Sequence, residues 1–205
     1  MESLQVLRPA DAGPVKSDVD GYYMSRMYPA YERWTAAQAV AANATAVHAA
    51  VADNGAEQIK TSGFTDLPCA RTVTITPTGT AGHVKAVSHY IEGLDRNGQF
   101  QSETMPAFTV DSLTPVESTK AYIKITKHTM PAHDGTGVSF SMGIGNGLGL
   151  PIKCARNSVV AAWLGGARES TAPTVSASPS VLGSNVVKLS SALNGSEVGV
   201  ALLVP

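Results

Sequence analysis

The 205-residue chain reads as a mainly β protein: an antiparallel two-sheet sandwich of Greek-key or jelly-roll type, with an extended N-terminal arm and one Ala-rich helix ahead of it. Three observations predict this. From about residue 57 onward, short runs of β-branched residues alternate with polar ones and are broken every ten residues or so by Gly, Pro or Asn-Gly turn signals. Hydrophobic residues make up 43% and charged residues only 15%, with mean hydropathy +0.03, which suits a packed core and not a disordered chain. The first 34 residues lack such a rhythm and carry Pro9, Gly13, Pro14, Gly21 and Pro29, which block long regular elements. The expected boundaries are an arm over 1–34, a helix over 35–55 and the sandwich over 56–205.

The arm is more than a linker. Five of the twelve aromatic residues, Tyr22, Tyr23, Tyr28, Tyr31 and Trp34, fall within its last thirteen positions, joined by Met24 and Met27. These residue types are enriched where a surface buries against a partner, so the seven are candidate interface anchors. Two readings stay open: the arm wraps back onto its own domain, or it grips another subunit. Thr35 and Gln38 have capping-box form, ten alanines lie between 36 and 52, Val40, Val47 and Val51 make a stripe, and Asn54-Gly55 supplies a stop. This pattern predicts the helix.

Strands are then expected over 71–76, 83–94, 100–104, 107–111, 121–126, 138–142, 157–164, 185–189 and 197–204. Asp95-Arg96-Asn97-Gly98 reads as a hairpin turn, and His133-Asp134-Gly135-Thr136-Gly137 as another. The Gly-rich run Gly143 to Gly149 is expected to be a structural corner. It has no Gly-x-Gly-x-x-Gly and no Walker Lys-Ser/Thr, and Pro151 follows where a helix would have to begin.

Reactive constellations are missing from the pattern. His48, His83, His89, His128 and His133 show no metal-ligand spacing, and Cys69 and Cys154 stand far apart without a Cys-x-x-Cys, so no metal or cofactor site is expected. The two cysteines read as buried or idle thiols, with a single bridge as the alternative. His133-Asp134 reads as turn chemistry, no Gly-x-Ser-x-Gly occurs, and Glu92 with Glu103 reads as edge charges and not a glycosidase pair. No catalytic residue is therefore assigned. Fifteen basic against sixteen acidic residues, with no cationic run, argue against a nucleic-acid partner. The N-terminus has no signal-peptide pattern, and no window approaches the ~18 apolar residues of a membrane span.

A set of ordered motifs carries a resemblance. They are Phe64-Thr65-Asp66-Leu67-Pro68 before Arg71-Thr72-Val73-Thr74-Ile75-Thr76-Pro77; Gly93-Leu94-Asp95-Arg96-Asn97-Gly98 leading to Glu103-Thr104-Met105-Pro106-Ala107-Phe108; Ser118-Thr119-Lys120-Ala121-Tyr122; Met130 to Gly137; and Gly143 to Pro151. With these the chain resembles a broad family of tailed-bacteriophage virion structural proteins. The family commonly has Phe where Tyr122 stands and Lys where Gly147 stands. The resemblance implies a virion part assembled in the host cytoplasm, with the major capsid protein or other virion proteins and further copies of itself as partners, a trimer being favoured. It implies no catalytic residues. Within it, a non-enzymatic capsid decoration or cement protein is the first expectation and a neck, tail or baseplate component the second; from a different class, a carbohydrate-binding β-sandwich module is a more remote third.

Overall fold

The computed structural model describes residues 15–16, 23–24 and 28–204. In chain order its strands are β1 (Val15–Lys16), β2 (Tyr23–Met24), β3 (Tyr28–Trp34), β4 (Asn43–Ala52), β5 (Gln58–Lys60), β6 (Arg71–Gly79), β7 (Tyr90–Leu94), β8 (Phe100–Thr104), β9 (Val116–Tyr122), β10 (Lys124–Met130), β11 (Val138–Gly149), β12 (Val159–Leu164), β13 (Ala167–Arg168), β14 (Thr174–Ser176), β15 (Val186–Lys188) and β16 (Val198–Val204). All pairings are antiparallel. Besides the β1–β2 pair, the strands form three sheets instead of the expected two, ordered β5-β10-β7-β8, β14-β15-β11-β6-β9 with β4 also on β11, and β13-β12-β16-β3.

The twelve-residue β11 is the spine. Its first half pairs with β6 on one side and β4 on the other, and its last residues pair with β15. Two cores hang on it. Val47, Val73, Ile75, Ile91, Ile125, Phe140 and Met142 bury between the β5–β8 sheet and the first half of β11. Trp34, Leu148, Leu150, Val187, Val198, Val200 and Leu202 bury between the β3–β16 sheet and the far end of β11.

The Ala-rich helix expected over 35–55 does not form. The capping hydrogen bond does, with Thr35 N donating to Gln38 Oε1 at 2.9 Å, but it closes only one turn over 36–38. The chain then enters β4, whose residues 43–52 pair along β11 and bury Val47. Two forces override the helix preference of alanine, which is only a few tenths of a kcal/mol per residue. Buried Arg71 donates to the carbonyls of Gln38 at 2.9 Å and Val40 at 3.1 Å, fixing the chain after the turn. In addition, the Val47–Val51 spacing fits a strand's period of two as well as a helix.

The expected corner at Gly143 to Gly149 is the second half of β11. A side chain at Gly143 would collide with the backbone at Asn43 and Ala44, so the glycine lets β4 approach. The expected strand over 107–111 is a loop that inserts Phe108 into the first core, and 83–94 is a strand only from Tyr90. The span 121–126 straddles the junction of β9 and β10. The hairpin at 95–99 forms as expected: Asp95 Oδ1 accepts from the amides of Asn97 and Gln99, both at 2.9 Å, and Gly98 takes φ 75°.

Candidate interaction surface

Alternation along the third sheet sorts the arm residues. In β3, Ala30, Glu32 and Trp34 face inward and Pro29, Tyr31 and Arg33 outward, because the register sets them opposite the inward Leu202, Val200 and Val198 and the outward Leu203, Ala201 and Gly199. Trp34 is accordingly 2% exposed, a core residue of its own chain. The expected arm therefore gives up residues 28–34 to the folded body, tied by β16. Tyr28 belongs to β3, and Tyr23 and Met24 to β2. Tyr22 and Met27 lie outside the described residues.

Tyr31 points the other way and is 59% exposed. It meets Trp163, 132 positions later in the chain, with ring centroids 5.9 Å apart and planes inclined at 56°. One transverse row of this face runs Arg168, Trp163, Gly199, Arg33, and the next runs Ala161, Ala201, Tyr31. Gly199 is required here, since a Cβ on it would fall on the Tyr31 hydroxyl. Small residues thus floor a face walled by two aromatic rings and extended by exposed Val160 and Leu203. Arg33 is joined to Glu197, which holds the guanidinium above its ordinary pKa, while Arg168 at the other end of the row is an exposed cation with no acidic partner among the described residues. On the inner side, Arg96 in the β7–β8 turn pairs with Glu32 at 2.6 Å and anchors β3 to the hairpin.

The residues weighed for chemistry are separated by the fold. His133 Nε2 accepts the amide of Lys85, while the Asp134 carboxylate goes to His83 Nδ1 at 2.9 Å, so His133-Asp134 is no dyad. The hydrogen bond from His83 holds the Asp134 carboxyl below its usual range. Thr136 Oγ1 approaches the same His83 nitrogen that Asp134 occupies, so the three cannot relay a proton as a triad does through both ring nitrogens. Glu92 and Glu103 stand opposite Ser102 and Ile91 and point to opposite faces. Glu92 pairs with Lys127, and Glu103 accepts from Thr119 and Lys120. Cys69 and Cys154 are both buried free thiols, and burial pushes Cys69 up to about 11, away from nucleophilic use.

Among the described residues no group of three His, Cys, Asp or Glu side chains is placed to hold a metal ion, and no helix is long and apolar enough to cross a membrane. Comparisons with protein-family models, with curated proteins and with solved structures find no match to this chain. The Tyr31–Trp163 face is invisible in the sequence, because only the register of β12, β16 and β3 brings its residues together.

Proposed function

We propose that the chain is a non-enzymatic virion structural protein, most simply a capsid decoration or cement protein that binds and stabilises a phage head and associates with copies of itself. The observation that carries this reading is the outward Tyr31–Trp163 face, two aromatic rings over small residues with Arg33 and Arg168 at the ends of one row, on a sheet that ends in β3. The segment bearing Tyr22, Tyr23, Met24 and Met27 runs directly into that strand. Aromatic and apolar at its centre, with arginines at its ends, the face has the composition of a protein-binding patch. Repeated copies on a symmetric shell would turn such modest contacts into firm attachment. The resemblance of the motifs between Phe64 and Pro151 to phage virion proteins supports the same assignment.

Light scattering on a sizing column tests it. A trimer, or a monomer that becomes trimeric only on isolated phage heads, is the expected result, and Tyr31→Glu should weaken association at least tenfold without changing the melt. A closed ring of six or twelve copies would transfer the protein to the neck or tail. A monomer that no phage particle binds would overturn the virion reading.

A further inference from the structure

A second site lies at the hairpin end of the molecule and differs in character from the aromatic face. Three loops converge there: the β7–β8 turn, the segment after β11 that carries Lys153, and residues 180–182. They enclose a recess whose apolar members are Phe100, 66% exposed, Val181, 39% exposed, and the buried Leu182. Around them stand the side chains of Asn97, Gln99, Lys153 and Ser180, all exposed. Among the described residues, the side-chain carboxamides of Asn97 and Gln99 and the ammonium of Lys153 have no hydrogen-bond partner. Phe100 is 66% exposed and belongs to none of the buried clusters, so its ring is open to a ligand.

The walls are held in place before any ligand arrives. Asp95, 7% exposed, fixes the hairpin turn through its two amide bonds. Asn185, fully buried, fixes the other two loops at once. Its Oδ1 accepts from Cys154 N at 2.9 Å and Ser178 N at 2.8 Å, and its Nδ2 donates to Val181 O at 2.8 Å. Gln101, next in β8 and also lining the recess, is buried, donates to Ala121 O at 2.7 Å, and has a side-chain oxygen with no partner. A preformed concavity with one apolar platform and several converging polar groups is the general form of a small-ligand site.

We propose that this recess binds a saccharide. The chemistry selects the class. One cation, Lys153, balances one carboxylate, Asp95, so a polyanion is not favoured. The amides and hydroxyl offer donors and acceptors together, which suits a ligand dense in hydroxyl groups. The exposed face of Phe100 carries the negative side of the ring quadrupole and attracts the C–H face of a pyranose. The aromatic face at Tyr31 is floored by small residues and ended by arginines, with none of the amides that line the recess, which is why the two surfaces are given different partners. The saccharide site holds whether or not the protein belongs to a virion.

The test is an array of defined immobilised oligosaccharides probed with the full-length protein, followed by calorimetric titration of the strongest binder. Expected is saturable binding that Phe100→Ala weakens tenfold or more and that Lys153→Ala and Gln99→Ala each weaken severalfold. The melt of Phe100→Ala should be unchanged, because the ring is largely outside the core. Ile59→Ala, which removes an equally exposed apolar side chain from β5, should bind as the parent does. Absence of binding to every oligosaccharide on the array, or binding that Phe100→Ala leaves intact, overturns the proposal.

Discussion

Arg71 is a fully buried cation whose guanidinium is distributed over backbone carbonyls: Gln38, Val40 and Gly145 all accept from it. Burial pulls its pKa down, yet an arginine remains charged in any protein environment, so those carbonyls act as its counter-charge. Arg71→Met strands the three acceptors and should lower stability by about 3 kcal/mol or more, read from the urea midpoint. The buried histidines act in the opposite sense. His89 Nδ1 and His128 Nε2 lie 2.9 Å apart beneath Phe108 and Phe140, and one proton can occupy that contact. Burial first, then the neighbouring imidazoles of His128 and His133, lowers the pKa of His89; burial first, then His48 and Lys60, lowers that of His128. A lowered histidine pKa means that the unfolded chain binds more protons below about pH 6.5, so stability is full above that pH and falls beneath it. By pH 5 the loss is about 2 kcal/mol per imidazole, and the melting temperature should fall by several degrees between pH 7.5 and pH 5. Glu117 adds nothing in that window. Burial pushes its carboxyl up, but hydrogen bonds from Lys188 and Thr72 outweigh this and hold it low, so its contribution is lost only under more acid conditions.

At the scale of elements, β4 is the instructive case. Val47 is 1% exposed and packs in the first core, so Val47→Ala should cost about 1 to 2 kcal/mol. Ala50→Thr, on an exposed position of the same strand, should stay within about 0.5 kcal/mol of the parent. The opposite ranking in thermal melts would fit a helix. Much of the β-rich body was legible: β6, the β7–β8 hairpin, β12, β15 and β16 follow directly from alternation and turn chemistry, which are local. The Ala-rich segment misled because its local preference points one way and its long pairing with β11 the other. The glycines of β11 misled in the same manner, since close approach of β4 is a property of the partner strand and not of the run itself. Phe108 sits in a loop, and its ring is buried against His89, His133 and Phe140, which are distant in sequence. Neither proposed site was legible, because Tyr31 and Trp163 meet through register, and Asn185 organises loops far apart in sequence. The trace that sequence did offer was the aromatic density ahead of Trp34, and the fold divides it between core and surface.

For the whole molecule, the boundary that matters falls at Tyr28. Removing residues 1–27 keeps β3 and Trp34 in the chain and should preserve a cooperative melt while weakening self-association by light scattering. Removing residues 1–34 also strips β3 from β16 and takes Trp34 out of the second core, so that variant should lose its cooperative melt. Equal behaviour of the two truncations would show that β3 contributes nothing to the fold. The same pairing sets a clock. Arg33 and Glu197 are 164 residues apart in the chain, and a ribosome adding about 5 to 20 residues per second takes roughly 10 to 30 s to cover that distance. For that interval β3 exists without β16, its edge unsatisfied and its tryptophan without a core. A neighbouring nascent chain offers the same β16 edge, while the chain's own β16 has the advantage of its tether, so slowed translation should raise the share of copies that exchange strands, read as dimer on a sizing column.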